Sequence, residues 1–287
     1  MASLGLIALL GFTSIRSVAA WGAFGHEAVA YIAQDFVSSA TATFVQNILS
    51  DTSTRYMANV ATWADSYRST TAGKWSAPLH FMDAMDSPPG SCGVNFARDC
   101  PAEGCVVSAL TNFTNQLMSS STSAAAKLDA MKFVIHFVGD MHQPLHVENL
   151  DVGGNSIAVT YNSASTNLHS VWDSSLIQEY AGGSSLTVAR TFATSTTDAI
   201  KAGTWSTTSW LSGTDINDPE ATGMKWAGEA NGYVCTDVIP DGVAAVQGVD
   251  LSGDYYDDHI HAPRIQIARA GYRLAAWLNL IATGKTT

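Results

Sequence analysis

Few folds accommodate the run Lys132-Phe-Val-Ile-His-Phe-Val-Gly-Asp-Met-His-Gln-Pro-Leu-His146. His136 and Asp140 are four residues apart, so on a helix they lie one above the other on the same face. Phe133, Val134, Ile135, Phe137 and Val138 surround them with apolar side chains, and a helix that is apolar all round is a buried one. A bare carboxylate in such a place is costly and needs a partner. A divalent metal satisfies an imidazole and a carboxylate together; a buried His–Asp hydrogen bond in a core helix is the plainer alternative. Pro144 ends the helix, because it lacks an amide hydrogen and clashes with the preceding turn. His146 follows in the exit turn.

The pattern on either side is helical. Apolar residues at helical spacing predict helices over 26–37, 41–49, 56–69, 106–118, 123–142, 168–180, 185–202, 218–236 and 263–281. The last has Pro263 near its first turn and Gly284 beyond its end. Residues 76–104 are rich in Pro, Gly, Ser and Asp and read as loop. Alternation over 156–161, preceded by Gly153-Gly154, predicts a small β-hairpin. There is no long linker, repeat or low-complexity block. The expectation is a mainly α single domain, a helical bundle over 21–287 with long loops.

Residues 1–20 read as a secretory signal to be removed, with an apolar run over 4–12 and the small residues Val18-Ala19-Ala20 at its end. Cleavage there makes Trp21 the N-terminus. No other segment is apolar enough for a membrane span. Cys92, Cys100, Cys105 and Cys235 are an even set, which suggests two disulfides in a secreted chain. Cys100 and Cys105 would close a small loop, leaving Cys92 for Cys235. A four-thiolate zinc site is the competing use, without the paired CxxC spacing it normally has. Asn112-Phe-Thr114 is a glycosylation sequon.

Five of the eight histidines sit where ligation is expected. His26 follows Trp21 by five residues. Asp65 lies in Trp63-Ala-Asp-Ser-Tyr-Arg68, and His80 closes Ala77-Pro-Leu-His. His136, Asp140 and His146 belong to the central run. His169-Ser-Val-Trp-Asp173 repeats its His-x3-Asp spacing. His142, His259 and His261 do not fit and read as surface or supporting residues. His259 and His261, beside Asp257 and Asp258, are a candidate adventitious metal site. Imidazoles and carboxylates without thiolates suit zinc, and also manganese or iron. The donors are too many for one metal and fit three that share a carboxylate.

Together, Trp21-Gly-Ala-Phe-Gly-His26, Trp63-Ala-Asp65, Leu79-His80, His136-Phe-Val-Gly-Asp140, Gln143-Pro-Leu-His146 and His169-Ser-Val-Trp-Asp173 resemble the zinc-dependent single-strand-specific nucleases of fungi and plants, the S1/P1 type. That family shares its helical fold with bacterial zinc phospholipases C. The resemblance implies three zinc ions. One uses Asp65, His80, His136 and Asp140. A second uses the amine and carbonyl of Trp21 with His26 and the bridging Asp140. A third uses His146, His169 and Asp173. It also implies hydrolysis of the P–O3′ bond of single-stranded DNA and RNA to 5′-phosphorylated products, with a metal-bridging hydroxide as nucleophile, and 3′-nucleotidase activity. Arg68, one helical turn from Asp65, is placed to face the same cleft and stabilise the phosphoryl group; these two are the candidate catalytic residues. Phe81 is expected to stack a base and Asp83 to accept from its N–H groups. Tyr161 and Ser174 are further candidates for the substrate pocket. An amide nitrogen at Trp21 is a poor ligand whereas a free amine is a good one, so the uncleaved precursor is expected to be metal-deficient.

Charge sets a limit on substrate binding. Without residues 1–20, which carry only Arg16, the chain has 13 Lys and Arg against 25 Asp and Glu, a formal −12. Nucleic-acid binders are normally basic. Three zinc ions would bring −12 to −6, and binding would then rely on metal and stacking, which favours flexible single strands over duplex. A phospholipase C on the same metal frame and a secreted zinc protein without catalysis are the rival readings. A monomer without a protein or membrane partner is expected.

Overall fold

Thirteen α-helices, several of them single turns, follow one another among the described residues of a computed structural model, 21–287. The expected signal over 1–20 lies outside them. In chain order they are α1 (Ala23–Gln34), α2 (Ser39–Leu49), α3 (Trp63–Arg68), α4 (Phe96–Asp99), α5 (Val106–Met118), α6 (Ala124–Asp140), α7 (Leu168–Ser170), α8 (Leu176–Ala181), α9 (Leu186–Lys201), α10 (Pro219–Tyr233), α11 (Val243–Val246), α12 (Asp254–His259) and α13 (His261–Thr283). The only sheet among the described residues is a hairpin of β1 (Ala158–Tyr161) and β2 (Ala164–Asn167), which pairs Ala158 with Asn167 and Tyr161 with Ala164. The mainly α architecture matches the sequence expectation.

Local chemistry sets the helix ends. Ser38, Ser123, Ser185 and Asp218 each accept a backbone N–H from the first turn of α2, α6, α9 and α10, satisfying a donor that would otherwise be orphaned. Pro219 occupies the first turn of α10, where its missing N–H costs nothing. Gly284, at φ 73°, ends α13 in the left-handed conformation. The hairpin turns on Asn162 and Ser163, both at positive φ, as a two-residue turn that matches strand twist requires. Asp250 accepts both their N–H groups, at 3.2 and 2.7 Å.

Four expectations need correction. The helix expected over 56–69 is helical only as α3; residues 53–63 form successive tight turns with i→i+3 bonds such as Val60 N–H to Met57 O, 3.1 Å. The carbonyl of Ala61 is used by His136 instead. Within 76–104, the expected loop holds a 3-10 helix, Lys74–His80, and the short α4. The single helix expected over 168–180 is α7, a π-helical turn Val171–Ser175, then α8. Helix 218–236 likewise passes into a π turn, Val234–Val238.

Two apolar clusters form the core. The larger gathers α1, α5, α6, α9, α10 and α13 around Phe24, Ile32, Phe133, Phe137, Trp226 and Trp277. At the α1–α13 crossing a Cβ on Gly271 would come within 2.5 Å of Ile32 Cβ, so only glycine lets these helices approach so closely. The smaller cluster lies around the hairpin, with Leu145, Ile157, Leu168, Trp172 and Leu251. The exit turn of α6 connects them: Met141 and Val147 belong to the first, Leu145 to the second.

Candidate metal centre and substrate cleft

The His/Asp residues converge at that seam. On α6, His136 and Asp140 are both fully buried. The Nδ1–H of His136 donates to Ala61 O at 2.6 Å. A carbonyl only accepts, so this bond fixes Nδ1 as the donor and turns Nε2 towards the acids, a lone-pair donor once its proton is lost. That Nε2 lies 3.3 Å from Asp140 Oδ2, 3.6 Å from Asp65 Oδ1 and 3.2 Å from His80 Nδ1. His80 Nδ1 is 3.0 Å from Asp140 Oδ2. His26, from α1, lies 3.2 Å from the other oxygen, Asp140 Oδ1, and its ring stacks on that of His136 at 3.8 Å. Gly139 permits this approach, since a Cβ there would sit 2.9 Å from His26 Nδ1. Asp140 therefore has one oxygen towards His26 and the other towards His80 and His136.

A second group lies beyond the exit turn. His146 Nδ1–H donates to His80 O (2.9 Å) and His169 Nδ1–H to Gly153 O (2.6 Å). Their Nε2 atoms face each other at 3.1 Å, with Asp173 oxygens 3.7 and 3.2 Å from them. Asp173 stands in the π turn, and Gln143 Nε2–H donates to its Oδ1 at 2.5 Å. Histidine ligands of metals characteristically donate their other ring N–H to a carbonyl or carboxylate in this way. The ligand-capable atoms fall into the sets His26/Asp65/His136, His80/His136/Asp140 and His146/His169/Asp173, each within 4.8 Å.

The donor set fits a metal on a further ground: Asp140 Oδ1 and both ring nitrogens of His26 are buried and make no hydrogen bond, and buried polar atoms are normally paired. The protonation balance agrees. Burial pushes the His80 imidazole down to about 4. Burial also disfavours charge on His136, but the carboxylates of Asp140 and Asp65 outweigh it and lift His136 to about 9. Burial would raise the Asp140 carboxyl; the charge of His136 and the adjacent imidazoles of His26 and His80 instead hold it well below the usual carboxylate range. Without a metal, the acids bring a proton onto a histidine to balance their charge.

Beside these groups lies a cleft of about 140 Å3. It brings together Arg68, Phe81 and Asp83, all expected from the sequence, with His146 and His169. The chain positions them through backbone bonds. Met82 N–H donates to His146 O (2.8 Å), Val106 N–H to Phe81 O (2.9 Å) and Asn149 N–H to Ala84 O (3.2 Å). The segment carrying Phe81 and Asp83 is thus attached to the exit turn of α6. Phe81 remains 37% exposed, an open ring face at the cleft. Arg68 Nη2 lies 3.1 Å from Asp65 Oδ1. Burial and then the charge of Asp99 raise the Asp83 carboxyl. Glu148, Val152 and Asn155 also line the cleft; the only sequence signal near them is Gly153-Gly154, which precedes the hairpin.

Tyr161 and Ser174 lie elsewhere. Tyr161 lines a separate cavity with Asn162, Gln178 and Glu179. Ser174 packs on Gly22, where a Cβ would meet its Oγ at 2.1 Å. Trp21 is fully buried, and Gly22 N–H donates to Asp173 O at 2.9 Å, which sets the start of α1 against the second His/Asp group. His142 is not a surface residue: it is buried, donates to Val138 O and meets Arg273 Nη1 at 3.0 Å. His261 faces Asp237 at 2.9 Å, with His259 at 4.0 Å; the acid between them is Asp237 rather than Asp257 or Asp258. Disulfides join Cys92 to Cys235 and Cys100 to Cys105, as expected. Asn112 is exposed on α5.

Comparison with known proteins matches residues 21–283 to the S1/P1 nuclease family. Nuclease S1 of Aspergillus oryzae is 56% identical over 265 residues, 92% of either chain. Nuclease P1 of Penicillium citrinum is 46% identical over 263 residues, 91% of this chain and 97% of its own. Endonuclease 3 of Arabidopsis thaliana is 31% identical over 293 residues, 98% and 95% respectively.

Proposed function

We propose, from the premise that this chain belongs to the S1/P1 nuclease family, that it is a secreted zinc nuclease. It hydrolyses the P–O3′ bond of single-stranded DNA and RNA and removes 3′-phosphate from 3′-nucleotides. The observation that carries this is the cleft itself, where a cation, an open aromatic face and a carboxylate meet two imidazoles of a His/Asp cluster.

Three zinc ions are assigned. Asp65, His80, His136 and Asp140 would hold one. His26 and Asp140, with the amine and carbonyl of Trp21 after cleavage, would hold a second. His146, His169 and Asp173 would hold the third. Zinc supplies an acidified water and polarises phosphoryl oxygens. The remaining roles fall to side chains. Arg68, oriented by Asp65, presents its guanidinium to the phosphoryl oxygens as their charge grows. Phe81 stacks the base and so sets which nucleotide lies at the centre. Asp83 accepts from base N–H groups and keeps the base in register. His136, His146 and His169 are held in one tautomer by carbonyls, so their donor nitrogens need no reorganisation.

No helix of the described residues is long and apolar enough to cross a membrane. Secretion rests on the signal expected over 1–20 and on the disulfides. A monomer is the proposed state. Asn112, exposed on α5, is the proposed glycan site, and Tyr161 and Ser174 receive no part in the central cleft.

The test compares mononucleotide release from heat-denatured and native DNA, each with and without a zinc chelator. Chelator-sensitive release of 5′-mononucleotides mainly from denatured DNA is expected. No release from either, with zinc confirmed bound, would overturn the nuclease reading in favour of a phospholipase or a silent zinc protein.

A further inference from the structure

A second cavity, about 160 Å3, opens between α8, α9 and α13, away from the His/Asp groups. Three of its walls are aromatic: Tyr180 on α8, Phe192 on α9 and Trp205 just after α9. Tyr180 is 42% exposed and meets Phe192 edge-on at 6.2 Å. Arg264, on α13, holds its guanidinium 4.1 Å from the centre of the Tyr180 ring.

Two features of this cavity bear on what it could hold. No acidic residue lines it, in contrast to the central cleft, with Asp83 and Glu148, and the cavity beside Tyr161, with Glu179. And the guanidinium of Arg264 has no carboxylate within 4.0 Å among the described residues, although Arg269 and Arg273 of the same helix both reach Glu229. A guanidinium stacked on a ring is fixed in place with its N–H edge still available for a phosphate fork. In a chain of formal charge −11, an arginine left without an acid beside three aromatic rings has the composition of a nucleotide subsite: a π-surface for a base and a cation for its phosphate.

We propose that this cavity holds a nucleotide of the single strand at a distance from the one being cleaved, Tyr180 and Trp205 taking the base and Arg264 the phosphate. This rests on the nuclease reading above. The placement suits it. Tyr180 is seven residues beyond Asp173 along one helical run, about 10 Å at the α-helical rise, within reach of a strand whose scissile phosphate lies in the central cleft. The subsite acts on polymer binding only, because a mononucleotide cannot occupy both places.

The test is steady-state kinetics of the zinc-loaded enzyme and its Arg264→Gln and Tyr180→Leu variants, on long denatured DNA and on a 3′-mononucleotide. Both variants are expected to raise KM for the long strand by about fivefold or more, the lower end of base-stacking effects. The kcat and KM for the mononucleotide stay unchanged, which also shows that the fold and the metal centre are intact. For Arg264→Gln the slope of log KM against log salt on the long strand falls by about 0.7, one phosphate contact on a single strand. Equal KM values on the long strand for variants and parent would overturn the proposal, as would a parallel rise on both substrates. A parent enzyme that cleaves neither substrate instead removes the nuclease reading itself, so the two failures are separable.

Discussion

Single residues carry strain and orientation here. Val152 stands at φ 60°, between Asp151 at 50° and Gly153 at 58°, a left-handed turn that costs a β-branched residue about 1–2 kcal/mol. It is 68% exposed and lines the cleft, so burial does not offset that cost. Val152→Gly should therefore raise stability by about 0.5–1 kcal/mol, after the flexibility of glycine in the unfolded chain is deducted. Urea melts measure it, and a destabilised variant would refute the strain. Gln143 does orienting work, since its amide holds one oxygen of Asp173 while its own oxygen accepts Leu145 N–H at 2.5 Å. Gln143→Leu is expected to weaken the zinc proposed for the His146/His169/Asp173 group by about ten- to a hundredfold. Competition with a chromophoric chelator gives that number, and an unchanged affinity would show that Asp173 needs no such support.

At the scale of elements, the segment bearing Phe81 and Asp83 depends on α4. Asp99 accepts Met85 N–H at 3.1 Å and Asn95 N–H at 2.7 Å and pairs with Arg98. Burial pushes its carboxyl up, but Arg98 and the two backbone donors outweigh this and leave it lowered. A carboxyl lowered in the folded state stabilises above its unfolded value, near 3.9, and that stability is lost as pH falls through the folded value. Asp99→Asn should thus cost about 1–3 kcal/mol at neutral pH, with the gap to the parent closing below about pH 4. A gap that is constant with pH would mean the charge is irrelevant. Elements also show what was legible in the sequence. His136, Asp140, His169 and Asp173 could be found because imidazoles and carboxylates at helical spacing advertise their chemistry. The carbonyls of Ala61, His80 and Gly153 that fix the tautomers could not, since every residue has one. The π turn around Asp173 was hidden because its apolar residues keep a helical period on both sides. The cleft wall at Val152 and Asn155 depends on a left-handed turn that packing, not local preference, imposes.

For the whole molecule, the His/Asp groups lie at the seam between the two apolar clusters, so a metal held there would tie the halves of the core together. Chelation should lower the melting temperature cooperatively. The loss is about 4 kcal/mol for each site that had been held at a thousandfold excess over its Kd. Calorimetry with and without chelator checks this; an unchanged transition would mean the seam closes without metal. The divided carboxylate of Asp140 has a consequence for how the protein fills. With one oxygen towards His26 and the other towards His80 and His136, an ion on either side would draw the same anion into place for its neighbour. On the assignment proposed above, those two positions would fill as a pair and the His146/His169/Asp173 group by itself, so a partly starved population would be a mixture of a few discrete species rather than a continuum.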